Sequence, residues 1–518
     1  MNVFNLVGLV LILVGLIIAI ALLIAVGRFI FYLLPHLKKS WLSKQLFVRK
    51  WLFYQFFGLG LLGVIVIALH IPLPIMMGLE DSIMDEMMDF YRNKIPPVEK
   101  KIPHLVLLDI DTDTHTNWGD INSIYTPLDK LTNLIDVAVR AKARLIIVDI
   151  DLAHSTEKPL LHAKEFEGYL RKHAEKCKEN PSVCSPLLLA RTLSDEAVNP
   201  DFLPEPHIGI FENVVTQSYP YVQWGSAEWS RSVSDNMTRR WRLWEPICTK
   251  EQPKMLPSIE VLVMGMVRGC TEDIQNVLRQ LQPKNCNQGF PSVKSVIFCG
   301  LRISTNIESV QQRIMYRMPY SVTPKKDDEK KDDEKKKVLT ILSAQPYAEP
   351  LSQYNLEAFP KNSIVVIGAS FGRDKDKDIH STPIGDMPGA LVLSNAIYSL
   401  LQDLTIKPMS FWWLFIAFFI IITLFSSLPE QKEEWQKNVL RWSGIFLIIL
   451  ILGGLFFYSV ILFKDGTWLS IAVPIAIIEI CRNIYKMPRL RRFANQFIGV
   501  PTSLASVAID TPDNINQR

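Results

Sequence analysis

Long apolar segments dominate the hydropathy pattern at both ends of the chain. Residues 3–27 carry no charged side chain, and a helix of this length crosses the roughly 30 Å hydrocarbon core of a bilayer. No Lys or Arg precedes Arg28, which favours a membrane anchor over a secretory signal peptide with a basic start. The same pattern predicts four further transmembrane helices, at residues 51–71, 409–427, 443–463 and 467–482.

The distribution of Lys and Arg predicts how these helices are oriented. Basic residues are concentrated in the loop 28–50 and in the tail 483–518, and an excess of this kind marks cytoplasmic segments. The basic tail also predicts contact with anionic membrane lipid. The N-terminus and residues 78–408 then lie on the opposite side of the membrane. In a bacterium, this is a multi-pass inner-membrane protein with its large domain in the periplasm.

Shorter patterns predict that residues 79–405 form an α/β domain with a largely parallel sheet. Apolar runs at 104–110 and 143–152 are typical of buried strands, and the stretch 126–143 between them has apolar residues at helical spacing. A strand, a helix and a strand in this order predict a βαβ unit with parallel strands and a right-handed crossover.

The rest of the outer segment predicts further helices, strands and a loop of this domain. Thr126 is predicted to be a helix N-cap, with Pro127 at the first helical position. Residues 322–338 mix both charge signs in a low-complexity run, which predicts a solvated, mobile loop. The remaining predictions are strands at 205–214 and 362–370 and helices at 79–93, 255–268 and 387–404.

Cysteine placement agrees with an outer, oxidising location. Six of the seven cysteines fall in the outer segment, where disulfides form and persist, and the seventh is Cys481. The short separation makes Cys177 with Cys184 the first choice of pair, and buried free thiols are the alternative. None of the six has the CxxC spacing of a zinc or redox site. The disulfide candidates are Cys177, Cys184, Cys248, Cys270, Cys286 and Cys299.

Acidic residues and histidines follow several predicted strands at the point where each strand ends. The carboxyl ends of parallel strands share one edge of a sheet, and ligands bind outside that edge. These side chains are therefore expected to gather there as a ligand or cation pocket. The candidates are Asp109, Asp111, Asp113, His115, Asp149, Asp151, Asp374, Asp378 and His380.

Four interpretations of these acids remain open. The spacing of Asp109, Asp111, Asp113 and Asp120 resembles an EF-hand calcium loop, but Thr114 stands where the sharp turn requires Gly. A divalent cation held by several strand ends is the second, because hard cations prefer such oxygen ligands. Hydrolysis with paired carboxylates or a metal-bound water is the third, without a supporting nucleophile motif. In the fourth, the acids only cap turns and helix N-termini.

The motifs of the late segment occur in a recognisable order. A strand reading IVVIG is followed by an acidic loop, a TP step, a PG step and a helix containing NAI. This order resembles the CHASE2 family of extracytoplasmic sensor domains, and the resemblance covers roughly residues 79–482. The matching positions are Ile364–Gly368, Thr382–Pro383, Pro388–Gly389 and Asn395–Ile397, with Asp109–Asp111 and Val148–Ile150 similar to the family's early strand ends.

The resemblance implies a role but no substrate. Domains of this family are usually the input halves of cyclases, histidine kinases or diguanylate cyclases, and their ligands are largely undefined. This sequence departs from the pattern by an extra N-terminal span and by a tail of 36 residues after residue 482, too short for such an output domain. We therefore expect a non-enzymatic sensor that answers an unknown extracytoplasmic ligand and signals to a separate membrane or cytoplasmic protein.

The alternative is a structural component or scaffold of a multiprotein envelope complex such as a secretion apparatus. Neither hypothesis requires a catalytic residue or a cofactor, although a divalent cation is compatible with the acidic pattern. The net charge of +4 gives no reason to expect a nucleic-acid partner. The sequence is compatible with a homo-oligomer and does not specify one.

Overall fold

The computed structural model forms two compact units, and the larger one, residues 82–408 with 463–467, contains the sheet and the acidic residues. The structure describes residues 74–94, 102–118, 126–152, 161–193, 203–207, 209–232, 235–249, 252–287, 293–307, 309–319, 338–349, 356–371 and 378–408, together with residues 454, 457–459, 461–463 and 466–468.

Most of the predicted membrane region lies outside these described residues. Within the part of the chain that is described, no helix combines the length and the apolar character that crossing a membrane requires. The five-span arrangement therefore stays a prediction. The segments without any described residue are 3–27, 28–50, 51–71, 409–427 and 483–518, and only a few residues of 443–463, 467–482 and 322–338 are described.

The described helices and strands alternate along the chain. The helices are α1 (Pro74–Lys94), α2 (Thr112–Asn117), α3 (Leu128–Arg140), α4 (Ala163–Glu179), α5 (Glu212–Gln217), α6 (Ile259–Arg268), α7 (Thr271–Leu281) and α8 (Gly389–Leu401). The strands are β1 (Leu105–Ile110), β2 (Leu145–Asp149), β3 (Leu187–Arg191), β4 (Val222–Ser226), β5 (Trp229–Arg231), β6 (Thr238–Trp241), β7 (Trp244–Thr249), β8 (Gln252–Pro257), β9 (Ser295–Phe298), β10 (Leu301–Ser304), β11 (Leu339–Ser343), β12 (Ile364–Ala369), β13 (Ile379–Thr382), β14 (Gly385–Pro388), β15 (Lys407–Pro408) and β16 (Thr467–Trp468).

A six-stranded parallel sheet forms the centre of the larger unit, as the strand pattern predicts. Its order is β11-β1-β12-β2-β3-β4, and the pairings recorded between neighbours are parallel. The late strand β12 is inserted between β1 and β2, so Leu107, Val366 and Ile147 lie side by side across three strands. The two acidic strand ends of the first βαβ unit are consequently separated by one strand.

Both faces of this sheet are covered, which explains why its strands are continuous apolar runs. Leu105 and Leu107 belong to a core shared with α6, α7 and α8, whereas Val106 and Leu108 belong to a second core shared with α3 and α4. Alternate residues of β1 thus point to opposite layers of helices. This is the usual arrangement of a parallel sheet, where crossover helices pack on both faces.

The predicted strand at 205–214 is wrong. Pro206 makes only an isolated bridge to Leu193, and Glu212–Gln217 is a helix. Phe211, Val214 and Val215 are buried at helical spacing, and that period prevails over the local apolar content. The sheet is completed by β3, β4 and β11, and none of these three strands was expected.

Two local predictions on helix starts are also wrong. Pro127, not Thr126, occupies the N-cap position of α3, and no side chain caps this helix. The predicted helix at 255–268 begins later, because its first residues complete the β7–β8 hairpin and Ser258 then caps α6 at the Val261 amide. The helices expected at 79–93 and 387–404 correspond to α1 and α8.

Three disulfides link the six cysteines of this domain. Cys177 is joined to Cys184, as the short separation suggested. The other pairs, which the sequence left open, are Cys248–Cys286 and Cys270–Cys299. The three bonds tie α4 to the chain before β3, β7 to the chain after α7, and the start of α7 to the β9–β10 turn.

Candidate functional site

The carboxyl edge of the sheet places the two acidic strand ends on either side of Gly368. Asp109 of β1 and Asp149 of β2 are both register partners of this glycine in β12. A β-carbon on Gly368 would overlap that of Ala390 in α8 and would lie 3.6 Å from the Asp149 β-carbon. The first turn of α8 therefore packs directly on the sheet edge, close to Asp149.

The acids that follow β1 are held by nearby hydrogen-bond donors. The Asp111 carboxylate caps α2, since its Oδ1 atom accepts hydrogen bonds of 2.7 Å from the amide and from the hydroxyl of Thr114. Asp109 is buried and accepts hydrogen bonds from Ser370. Burial outweighs these bonds, and the Asp111 charge adds to it, so the pKa of Asp109 is raised to about 6. Asp113 is exposed.

This geometry decides two of the interpretations at β1. The helix α2 occupies the segment that would have to form an EF-hand loop, so the calcium-loop spacing has no structural counterpart. The capping interpretation is confirmed for Asp111. His115 is buried and stacks on Phe371, with 3.9 Å between the ring centroids, so its ring is packed beside the same strand end.

Asp149, at the end of β2, lies in a different environment. Its Oδ2 atom is buried and has no hydrogen-bond partner. Desolvation is the main reason why the pKa of Asp149 rises to about 8, and the neighbouring charges of Asp378 and Glu260 raise it further. A carboxyl group in these surroundings is stable when it is neutral or when a ligand compensates its charge.

Glu260 completes this second acidic group, although the sequence patterns did not single it out. It is the second residue of α6, only 2% exposed, and its Oε1 atom accepts a 3.2 Å hydrogen bond from the Trp229 indole. Its Oε2 atom is buried without a partner. Burial raises the pKa of Glu260 to about 7, although nearby donors of Ser258, its own backbone and Trp229 act in the opposite direction. A single acid in the apolar stretch IEVLVMGMV was the available signal.

His380 and Asp378 line the same group from the β13–β14 hairpin. His380 is buried, and its Nε2 atom lies 2.8 Å from Oδ1 of Asp378, whose side chain is largely exposed. The Trp229 ring contacts the His380 imidazole edge-on, with 5.1 Å between centroids. We call Asp149, Glu260, Asp378, His380 and Trp229 the acidic pocket.

Several other buried charged groups of the described domain have a counterion. Arg242 donates a 2.8 Å hydrogen bond to Glu245, whose residue is fully buried. Arg239 and Arg313 both donate to Asp85 of α1. Among the ion pairs of the described residues, none joins a Lys or Arg to Asp149 or Glu260. The acidic pocket thus lacks the Lys or Arg counterion that these buried groups have.

The predicted pocket residues therefore separate into two groups. Asp109, Asp111 and His115 lie around the end of β1, whereas Asp149, Asp378 and His380 lie around the end of β2. Asp151 is partly exposed just beyond β2, and Asp374 lies outside the described residues.

Metal-ligand geometry occurs elsewhere among the described residues. Its two groups are His173 with Cys177 and Cys184, and Asp273 with Cys270 and Cys299. Both contain a disulfide, which occupies the sulfur atoms that would bind an ion. A cation at the sheet edge stays a prediction.

The late sequence motifs mark packing positions next to the acidic pocket. A β-carbon on Gly389 would lie 2.8 Å from Cγ of Asp378, so glycine allows the hairpin to meet α8 closely. The buried amide of Asn395 accepts hydrogen bonds from the backbone of Arg317 and Met318 and donates to the Met318 carbonyl. Gly389 thus lets α8 approach Asp378 of the pocket, and Asn395 fixes α8 to the backbone of Arg317 and Met318.

Comparison with known proteins assigns the family. No curated protein and no solved structure matches the chain. Residues 60–428, more than half of the sequence, match the model of the CHASE2 domain. CHASE2 is an extracellular sensory domain, and the resemblance of the late motifs is confirmed by this match. The chain belongs to the CHASE2 family.

Proposed function

We propose that this chain is an extracytoplasmic sensor in the bacterial inner membrane. It binds its input at the carboxyl edge of the parallel sheet and passes the resulting state to a partner protein through its membrane segments. The observation that carries this proposal is the acidic pocket, where Asp149 and Glu260 each keep a buried oxygen without a partner. Glu245 also has such an oxygen but pairs with Arg242, whereas no Lys or Arg of the described residues pairs with Asp149 or Glu260. Asp149 moreover ends a strand at the edge where parallel α/β domains bind ligands.

The disulfides support an extracytoplasmic location for the domain. Six cysteines of the described domain form three disulfide bonds. Bonds of this kind persist in the periplasm and are rare in the reducing cytosol. The hydropathy pattern and the basic segments 28–50 and 483–518 support the same orientation.

Two contacts support a connection between the domain and the predicted spans. The helix α1 follows the apolar run 51–71, and its Asp85 accepts hydrogen bonds from the buried Arg239 and Arg313. At the other end of the domain, the Lys407 amide donates a 2.8 Å hydrogen bond to the Gly466 carbonyl. The predicted topology agrees with this contact, because it places Lys407 and the junction between spans 443–463 and 467–482 on the same, outer side.

The geometry around His380 supports a binding role over catalysis. Asp378, His380 and the Thr238 hydroxyl follow one another at 2.8 and 3.5 Å, an order that resembles a charge-relay triad. The Thr238 residue is only 1% exposed, so its hydroxyl has no access to a substrate carbonyl. We propose a non-enzymatic domain on this basis.

The topology is tested with single cysteines introduced into the full chain. Lys361 is exposed in the turn before β12, and Lys44 lies in the basic loop 28–50. A membrane-impermeant maleimide should label Lys361→Cys in intact cells and should label Lys44→Cys only after permeabilisation. The opposite labelling pattern would place the domain in the cytoplasm and end the proposal.

Sensing is separated from a scaffold role by purification of the native chain. A sensor changes its thermal stability when its input changes, because a ligand that binds the folded state stabilises it. A scaffold instead remains in a stable, stoichiometric complex whose composition and stability do not respond to solution conditions. The second result would favour the structural role in an envelope assembly.

A further inference from the structure

We propose that the input bound by the acidic pocket is the proton, which Asp149 and Glu260 take up on their separate carboxyl groups. This inference rests on the proposed sensor function and specifies its ligand. The pair is protonated near neutral pH and loses its protons as the extracytoplasmic solution becomes alkaline.

The hydrogen bonding of the two carboxyl groups favours their neutral form. The Asp149 Oδ2 and Glu260 Oε2 atoms are both buried and lack a partner. An ionised carboxylate in a low-dielectric site requires several donors or a counterion, and its desolvation is otherwise expensive. A neutral carboxylic acid tolerates the same site at much lower cost, since only the partial charges of one carbonyl and one hydroxyl are buried.

The charges that face Asp149 and Glu260 also disfavour the ionised form of the pair. Asp378 and Glu260 act on Asp149 from the hairpin and from α6, and both repel its ionised form. His380, the only nearby group of the described pocket that can carry a positive charge, contacts the exposed carboxylate of Asp378. Tyr316 lies near enough to feel the charge of Glu260, and its hydroxyl donates to the Thr238 carbonyl. None of these groups neutralises the pair.

The arrangement of possible ligand atoms in the pocket favours a proton over a metal ion. The described pocket is absent from the groups whose ligand atoms converge closely enough to hold a metal ion. A proton needs one carboxyl oxygen and no coordination shell, so this geometry suits it better. Burial and mutual repulsion raise the pKa of Asp149 to about 8 and burial raises that of Glu260 to about 7, which brings both titrations into the neutral range.

The expected effect on stability follows from these pKa values. Between the ordinary pKa near 4 and the raised value near 8, the folded state binds more protons than the unfolded state. Stability therefore falls as the pH rises through this window. Ionisation of Asp149 places a negative charge beside the Asp378 carboxylate at the first turn of α8, which supplies a physical route from proton loss to a rearrangement of the pocket.

Infrared spectroscopy of the full wild-type chain tests the protonated state directly. Near neutral pH, the carbonyl stretch of a protonated carboxylic acid should be present and should disappear at alkaline pH. Asp149→Asn and Glu260→Gln should each reduce this band, because both variants resemble the neutral acid in shape. A wild-type spectrum without the band, or a band that Asp149→Asn and Glu260→Gln both leave unchanged, would overturn the proposal. Burial also raises the pKa of Glu245 to about 8, so Glu245→Gln is measured alongside to identify the part of the band that Glu245 contributes.

Thermal unfolding supplies the second test. The wild-type melting temperature should fall by about 3–8 °C between roughly pH 6 and pH 8. In the double variant, which combines Asp149→Asn with Glu260→Gln, the decrease should be at most half as large. An equal decrease in the double variant would overturn the proposal. So would a saturable stabilisation by Ca²⁺ or Mg²⁺ at about pH 8 that Asp149→Asn abolishes, because the ligand would then be a metal.

The two proposals fail in different ways. If the carboxylic-acid band is absent while Lys361→Cys is labelled from outside, the proton is not the input and the extracytoplasmic location survives. If the band titrates as expected while Lys361→Cys is labelled only after permeabilisation, the proton site stands and the proposed sensor topology fails.

Discussion

β1 and β2 both end in the sequence Asp-Ile-Asp, at Asp109–Asp111 and at Asp149–Asp151, on either side of Gly368. At the end of β1, Asp111 caps the helix that follows it and Asp109 accepts hydrogen bonds from Ser370. At the end of β2, Asp149 has a buried oxygen without a partner and meets further acids. Two copies of one motif thus have different electrostatic environments.

The difference shows that the acids themselves do not mark a site. What distinguishes Asp149 is the source of its neighbours: the helix α6 and the β13–β14 hairpin supply acids there and no described counterion. The Asp111 carboxylate finds its donors three residues away, in Thr114. A strand-end acid becomes a candidate for binding when the tertiary structure leaves it uncompensated.

The largest expected effect comes from the residue that separates the two strand ends. Gly368→Ala should lower the free energy of unfolding by about 2–3 kcal/mol, because the added methyl group overlaps the Ala390 side chain and forces α8 from the sheet. Chemical denaturation of the full chain measures this loss. The disturbance should reach Asp149, whose β-carbon lies 3.6 Å from the new methyl group.

Gly168→Ala is the matched control for that substitution. Gly168 lies inside α4 with no atom within 4 Å of an added β-carbon. Alanine should raise helix stability there by up to about 1 kcal/mol. A Gly368→Ala variant that is as stable as the control would show that α8 and β12 are not packed as closely as described.

The pH dependence of two isosteric variants sharpens the comparison directly. When folding raises the pKa of an acid, the free energy of unfolding falls as the pH rises from the ordinary pKa to the raised one. For Asp109 this loss ends near pH 6, and for Asp149 it continues to about pH 8. Between these two pH values, Asp149→Asn should gain about 2 kcal/mol relative to wild type, while the relative stability of Asp109→Asn should stay nearly constant.

Equilibrium unfolding at several pH values measures both curves. Parallel curves for the two variants above pH 6 would mean that the two strand ends titrate alike, and the contrast between them would be lost. A gain by Asp109→Asn alone would reverse the assignment of the uncompensated acid.

The smallest effect concerns capping at β1. Asp111→Ala should cost about 1 kcal/mol, since the Thr114 amide loses its acceptor at the start of α2. Asp113→Ala should change stability by less than about 0.5 kcal/mol, because Asp113 is exposed and makes no cap. Hydrogen exchange of the Thr114 amide should accelerate only in the first variant. Equal exchange in both would contradict the capping role.

Much of the fold was readable from local patterns. The apolar runs of β1, β2 and β12 and the periodic helices α3 and α8 are continuous and long, so their periods were unambiguous. The parallel sheet followed from the order of these elements, and the family followed from the motifs around Gly368, Gly389 and Asn395. The close pair Cys177–Cys184 could be chosen by separation alone.

The missed strands show where local patterns stop. Leu187–Arg191 is only five residues long and follows a proline, and Val222–Ser226 contains Gln and Gly, so both depend on neighbouring strands for their hydrogen bonds. The pairing of β11 beside β1 joins residues more than two hundred positions apart, which no local period encodes.

The sequence by itself determined the alternation of buried strands and helices, the acids at the strand ends and the family. Its hydropathy and basic segments also predict the membrane-anchored topology. Only the tertiary structure decided that β12 separates Asp109 from Asp149 and that Glu260, more than one hundred residues along the chain from Asp149, faces the second acid. The physical reason is that periodicity reports what a residue needs from its own element, whereas charge compensation depends on which distant groups the fold brings near.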